Sequence, residues 1–335
     1  MTLRHRVIFI FATLATINLG AWIWAGLAFQ NRSVLIGVAF VVYGLGLRHA
    51  VDADHIAAID NVTRKLMHEK QRPVAVGFYF ALGHSSLVIL ATAAVAGLTT
   101  ALSRFEGWRD IGGTVSTIIS SVFLLAIAAM NVVIFRDIHR SYQRLRRGDP
   151  YVEEDLDILL NNRGFLARLL RPLFGLITRS WHMYPLGFLF GLGFDTATEV
   201  AMFGVSAAQV AKGVSVADIM VFPVLFAAGM SLIDTADGVL MLGAYNWAFV
   251  KPVRKLYYNM TITLVSVAIA LLIGGIEGLG LVRRRLDFHG GAWEIVRALA
   301  DNMNTLGFVV IGLFIASWAV SIAIYKYKHL DAVDA

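Results

Sequence analysis

The segment Arg48-His49-Ala50-Val51-Asp52-Ala53-Asp54-His55-Ile56 puts five ionisable side chains into eight residues, inside a stretch that is otherwise apolar enough to cross a bilayer. Such groups are expensive there. One Asp or Arg at the centre of a membrane helix costs roughly +2.5 to +3.5 kcal/mol on insertion scales. A chain keeps a cluster of this kind in hydrocarbon only if the charges pair, face water or hold an ion. Imidazoles interleaved with carboxylates are the ligand set of a borderline divalent transition metal. On an ideal helix, at about 100° per residue, His49, Asp52 and His55 fall within about 120° of one face, whereas Asp54 lies about 160° from Asp52. A regular helix cannot aim all four at one ion. Either the helix unwinds locally, or Asp54 has a second role, such as pairing with Arg48 or orienting an imidazole. The plain alternative is a buried ion-pair network between Arg48 and the aspartates, but one arginine cannot neutralise two carboxylates and the histidines stay unexplained.

Other apolar stretches carry similar groups. His84 follows Gly83 and precedes Ser85-Ser86. Asp195 and Glu199 stand at i, i+4, and Asp234 and Asp237 at i, i+3, so each pair occupies one helix face. Each is a candidate metal ligand or proton carrier. The alternative for each is hydrogen bonding between helices, to neighbours such as Thr196, Thr198 and Thr235. Asn131 is a weaker candidate, as neutral ligand or interhelical glue, and Glu277 is expected to meet interfacial water.

These residues must be positioned by membrane helices. Of 335 residues 58% are hydrophobic and 16% charged, with a mean hydropathy of +0.68. A soluble domain is nearer 25% charged. The expected fold class is therefore all-α, a polytopic membrane protein whose single transmembrane domain fills residues 1–335. Eight spans are expected, at about 7–29, 34–59, 74–98, 113–135, 185–211, 219–244, 257–282 and 306–325. Each reaches the ~20 residues a bilayer requires. The first is too long for a signal h-region and lacks an Ala-x-Ala site, so it reads as uncleaved. An Arg-rich loop, 136–182, joins the fourth and fifth spans, and a basic loop with Arg64, Lys65, Lys70 and Arg72 follows the second.

The net charge of +6 serves orientation and lipid attraction rather than nucleic acid. With eight spans both termini share a side, and twenty of the 29 Lys and Arg fall on it against eight opposite. That bias makes it the cytoplasmic side; the Arg283-Arg284-Arg285 run works against it. The chain has no cysteine. This excludes disulfides, thiolate zinc, iron–sulfur clusters and a Cys nucleophile.

Two short matches suggest an internal repeat. Tyr43-Gly44-Leu45-Gly46-Leu47 matches Phe190-Gly191-Leu192-Gly193-Phe194 at an offset of 147, and Phe80-Ala81-Leu82-Gly83-His84-Ser85 matches Phe226-Ala227-Ala228-Gly229-Met230-Ser231 at 146. Spans two and five run in opposite directions, so the repeat is inverted, the arrangement many secondary transporters build around a midplane site. Gly-rich patterns also recur by chance in membrane helices, but two in order at one offset beside intramembrane charges favour the repeat.

No His-Glu-x-x-His, Gly-x-x-x-x-Gly-Lys-Ser/Thr or Gly-x-Ser-x-Gly is present. The chain instead resembles the nickel/cobalt transporter family, the high-affinity nickel permeases of bacteria and some fungi. The family's second-helix hallmark, His, four residues, then Asp-His, stands intact within Arg48 to Ile56, and the likeness continues to Arg64. Further motifs resemble Leu82-Gly83-His84-Ser85-Ser86, the segment Leu192-Gly193-Phe194-Asp195-Thr196-Ala197-Thr198-Glu199, and the segment Gly229-Met230-Ser231-Leu232-Ile233-Asp234-Thr235-Ala236-Asp237. The resemblance implies uptake of Ni²⁺, Co²⁺ or both across the bacterial cytoplasmic membrane, with the metal as cargo and no cofactor. His49, Asp54, His55 and His84 carry over as metal residues. No enzymatic activity, no nucleic acid partner and no obligatory ATPase subunit are expected; the partners are the metal ion and the bilayer. The rival readings are a membrane metalloenzyme with a His/carboxylate site, the membrane component of an ATP-driven importer, and a metal exporter.

Overall fold

The computed structural model describes residues 2–69, 71–97, 101–146, 176–193, 197–248 and 252–327. Among them the chain is all-helical, without a strand. In chain order the helices are α1 (Leu3–Ala28), α2 (Ser33–His49), α3 (Ala53–His68), α4 (Val76–Gly97), α5 (Ala101–Arg146), α6 (Met183–Phe190), α7 (Ala197–Ala211), α8 (Val216–Ile219), α9 (Val221–Ala248), α10 (Pro252–Leu286), α11 (Ala292–Ala300) and α12 (Met303–Tyr327), with 3₁₀ turns at Ser180–His182 and Gly191–Gly193. Among the described residues five stretches are long and apolar enough to cross a membrane: Leu3–Ala28, Val76–Ala94, Ile111–Val133, Val216–Ala244 and Thr263–Leu286. Counting each of two bent helix pairs as one span gives seven. The protein is a multi-pass membrane protein.

The expected span over 34–59 is two helices, α2 and α3, meeting at 52°. The ladder runs out at His49. Ala50 N–H still reaches the Gly46 carbonyl, but Val51 and Asp52 N–H bond only three residues back, to Arg48 and His49. Asp52 then restarts the helix as N-cap, its carboxylate accepting from Ala53 N–H. The expected span over 185–211 is likewise not one helix: α6, a 3₁₀ turn and α7 share it, with 194–196 outside the described residues. α5 continues to Arg146, so the expected 136–182 loop begins as helix; its residues 147–175 lie outside the described residues.

The anticipated basic loop after the second span also begins as helix. α3 runs on to His68, and Arg64 and Lys65 are buried on it. Lys65 Nζ pairs with Glu69 Oε1 at 3.0 Å and donates to the Ile177 carbonyl. Arg64 Nη2 donates to Asn61 Oδ1 at 3.2 Å.

Water expels no helix from lipid, so close packing holds membrane helices together. Glycine permits the closest approaches here. A Cβ on Gly83 would overlap the Tyr184 carbonyl, and one on Gly187 the Phe80 carbonyl, so α4 and α6 touch backbone to backbone. Gly46 bears the same relation to Phe226 and locks α2 to α9. Gly307 of α12 presses on the Val51 carbonyl, within the break between α2 and α3. Two apolar clusters result, one around Ile56, Phe80, Leu124 and Ile273, the other around Phe29, Met202, Phe222 and Phe226. The histidines lie where the clusters meet.

Candidate metal centre

The break after His49 resolves the aiming problem. His49 ends α2 and His55 sits in the first turn of α3, so the two imidazoles turn toward each other across the bend rather than following one helix face. His84 arrives from α4. The three rings form a nearly equilateral triangle, with centroids 4.8 Å (His49–His55), 4.9 Å (His49–His84) and 5.0 Å (His55–His84) apart. One ring nitrogen from each lies within 4.8 Å of the other two, and all three residues are buried. Phe226 walls the triangle on the His49 side at 5.4 Å and Phe80 on the His55 side at 4.8 Å.

A carboxylate closes one edge. Glu199 Oε1, on α7, is 2.9 Å from His84 Nε2 and 3.9 Å from His49 Nε2, and those two nitrogens are 3.0 Å apart. Two ligands at right angles around an ion, each about 2.1 Å from it, stand about 3.0 Å apart. The His49–His84 and His84–Glu199 separations fit that figure.

One nitrogen of each of two rings meets a further side chain. His49 Nδ1 is 3.1 Å from Thr198 Oγ1, and His55 Nδ1 is 3.4 Å from Asp234 Oδ1. An imidazole held through one nitrogen presents the other in a fixed direction, the usual outer support of a metal-binding histidine. Asp234 thus meets His55, while Glu199 lies against His84 and His49.

The remaining sequence-expected residues are placed differently. Asp52 is buried as the N-cap of α3. Asp54 is partly buried, and its Oδ1 accepts from the His55 N–H at 2.8 Å, so it braces the turn that carries His55. Both carboxylates occupy the helix N-terminus, where the backbone dipole favours negative charge. Arg48, in the last turn of α2, is exposed. Asp237 stands one turn beyond Asp234, where α9 meets α3 at Gly238 and Ile59, and interacts electrostatically with Asp60 and Asp234. Asp195 lies outside the described residues.

Asn131 is glue rather than ligand: its amide donates to Asn61 Oδ1 at 2.7 Å. Glu277 is half-buried and accepts from Ser120 Oγ of α5 at 2.6 Å. Sequence reasoning passed over Asp60 and Asn61. Asp60 is fully buried and accepts from Ser266 Oγ at 2.8 Å. With Arg64 they continue the polar side of α3 beyond the histidines, and the signal was present as spacing: Asp60 and Arg64 stand at i, i+4 on a helix that does not end at Ile59.

Buried imidazoles converging with a carboxylate across a broken membrane helix are a donor set that suits a divalent transition-metal cation. The comparisons with known proteins make this specific. Residues 35–324 match the NicO family, described as high-affinity nickel-transport protein, and the chain belongs to that family. It is 55% identical over 329 residues to the high-affinity nickel transport protein of Cupriavidus necator, covering 98% of this chain and 94% of that one. It is 45% identical to the nickel transporter NixA of Staphylococcus aureus, over 93% and 91% of the two chains. The cobalt transport protein NhlF of Rhodococcus rhodochrous is 39% identical, over 88% and 84%. No solved structure matches the chain. The family is one of transporters and not of enzymes, and nickel is its cargo rather than a cofactor.

Proposed function

We propose that this protein takes up Ni²⁺ or Co²⁺ across the bacterial cytoplasmic membrane by alternating access around the His49–His55–His84 triangle. The observation that carries the reading is the convergence of three buried imidazoles with Glu199 at ligand spacing. In this account the imidazoles supply neutral nitrogen, Glu199 supplies compensating charge and closes the shell, and Asp234 orients His55. Asp52 and Asp54 brace the break and add negative field beside it. Asp237 with Asp60, and Asp195 on the segment before Glu199, are the groups for proton exchange or ion passage. Nickel and cobalt both suit such a nitrogen and oxygen set, so choice between them comes from geometry and not from raw affinity.

The finer architecture belongs to the same proposal: eight spans, both termini in the cytoplasm, and an inverted repeat relating the α2 and α4 regions to the α6 and α9 regions. Two features support the repeat. Phe80 and Phe226, equivalent at the 146-residue offset, wall the metal triangle on opposite sides. The close helix pairs also exchange under it, since α2 against α9 becomes α6 against α4. The protein works without an ATPase subunit, the gradient across the membrane supplying the driving force.

The test is uptake of radiolabelled nickel by purified protein in vesicles with an inside-negative potential and no ATP. The expected result is saturable entry that unlabelled Co²⁺ competes with and Mg²⁺ does not. Ligating imidazole must be deprotonated, so apparent affinity should fall as external pH is lowered. Entry that requires ATP, or outward transport alone, would reject the reading.

A further inference from the structure

Among the described residues, α11 is built unlike the other helices. At about 100° per residue, Ala292, Trp293, Ile295, Val296, Leu299 and Ala300 share an arc of about 160°, whereas Glu294, Arg297 and Asp301 share one of about 60° on the other side. None of its residues is buried, and Ile295 is 64% exposed. The charged face is satisfied within itself: Arg297 Nε lies 3.8 Å from Glu294 Oε2 and 3.7 Å from Asp301 Oδ2. On the apolar face Trp293, Val296, Leu299 and Ala300 are only half-buried, Ala300 lying beside Gly280 of α10, and Ile295 stands exposed.

Its placement says what covers that face. α10 carries a spanning stretch that ends at Leu286, and α12 starts the next apolar helix at Met303. α11 lies between them and turns 82° to the helix that follows. A helix at nearly a right angle to its spanning neighbour, at the level where spans begin and end, lies along the membrane plane. At nine residues it is too short to cross. Two glycines with positive φ, Gly290 at +75° and Gly291 at +55°, make the turn into it, a backbone conformation that side-chain-bearing residues rarely adopt. Phe288 and Trp293 meet beside the turn with ring centroids 4.9 Å apart, both partly or largely exposed, and exposed aromatic residues are the usual anchors at a bilayer interface. Immediately before them stand Arg283, Arg284 and Arg285, three cations on the side where the charge bias leaves few. Arg285 also donates to Thr114 Oγ1 and so is tethered to α5.

We infer that α11 is an interfacial anchor: its apolar face sits in the headgroup–acyl boundary, and Arg283, Arg284 and Arg285 bind the headgroups of acidic phospholipids. An amphipathic helix with aromatic and aliphatic residues on one face and a neighbouring basic cluster binds such a surface through buried apolar area and charge together. This accounts for the arginine run as lipid binding rather than as an exception to the orientation rule. It also ties the ends of α10 and α12, and through Gly307 the break at Val51, to the composition of the surrounding lipid.

The absence of cysteine makes the test direct. Ile295→Cys and Arg297→Cys are each spin-labelled in the full chain and placed in nanodiscs of phosphatidylcholine alone or with phosphatidylglycerol. The label at 295 is expected to relax with oxygen and be shielded from chromium oxalate, with the reverse at 297. Adding phosphatidylglycerol should deepen the 295 label, and Arg283→Gln/Arg284→Gln/Arg285→Gln should remove that response. Equal oxalate access at both positions would put the helix in water. Shielding of 295 from both reagents would mean protein covers it. An undiminished phosphatidylglycerol response in the triple variant would remove the headgroup role of the arginines. Each of these outcomes overturns the inference.

Discussion

His84→Ala is expected to lower the apparent nickel affinity for uptake by at least about 100-fold, in protein that still inserts and folds. The residue makes the two shortest contacts in the centre, 3.0 Å to His49 Nε2 and 2.9 Å to Glu199 Oε1. Outer supports of metal ligands alone are commonly worth about 10–100-fold in affinity, and a ligand shared by two edges of the site lies at or beyond the upper end. The truncation leaves the tight contact between α4 and α6 intact, because that rests on Gly83 and Gly187. Uptake kinetics measured alongside the amount of folded protein separate loss of the site from loss of the molecule. Near-normal affinity in His84→Ala would remove it from the metal shell.

Glu199→Gln should have an effect of similar kind, about 10–100-fold in apparent affinity. The substitution preserves size and hydrogen-bonding capacity but removes the negative charge that faces two imidazoles. Glu199→Asp keeps the charge on a shorter arm and should lie between Gln and the parent. Isothermal titration with Ni²⁺ in detergent gives the affinities directly. Equal affinities for the parent and Glu199→Gln would leave Glu199 a hydrogen-bond partner of His84 and return the role of charged ligand to Asp54 or Asp52.

The contrast between those carboxylates shows what could be read from residue order. Three imidazoles in apolar stretches have few explanations, so His49, His55 and His84 stood out without a fold. Helical arithmetic added that a straight helix could not aim the cluster, and the 52° bend at residues 50–52 answers it. Glu199 was a candidate from its spacing with Asp195, but which imidazole it meets could not be found that way. Glu199 reaches His84 from 115 residues away in sequence, through the placement of α7 after a 3₁₀ turn, and neither spacing nor periodicity encodes that distance. Window hydropathy recovered the straight helices, such as Leu3–Ala28 and Thr263–Leu286, and overran the breaks, because a broken span has the composition of a continuous one. Arg64 and Lys65 looked like a basic loop for a related reason. Charge at the end of an apolar run usually marks the water boundary, but Asn61, Glu69 and the Ile177 carbonyl give both buried cations partners, so α3 continues.

The measurement closest to the centre of this account is nickel K-edge X-ray absorption on the purified, nickel-loaded protein. The predicted spectrum carries the outer-shell scattering of two to three imidazoles at a nickel–nitrogen distance of about 2.1 Å, together with oxygen, and it loses one imidazole in His84→Ala. A shell of oxygen alone, unchanged by that substitution, would contradict the claim that the three histidines hold the metal.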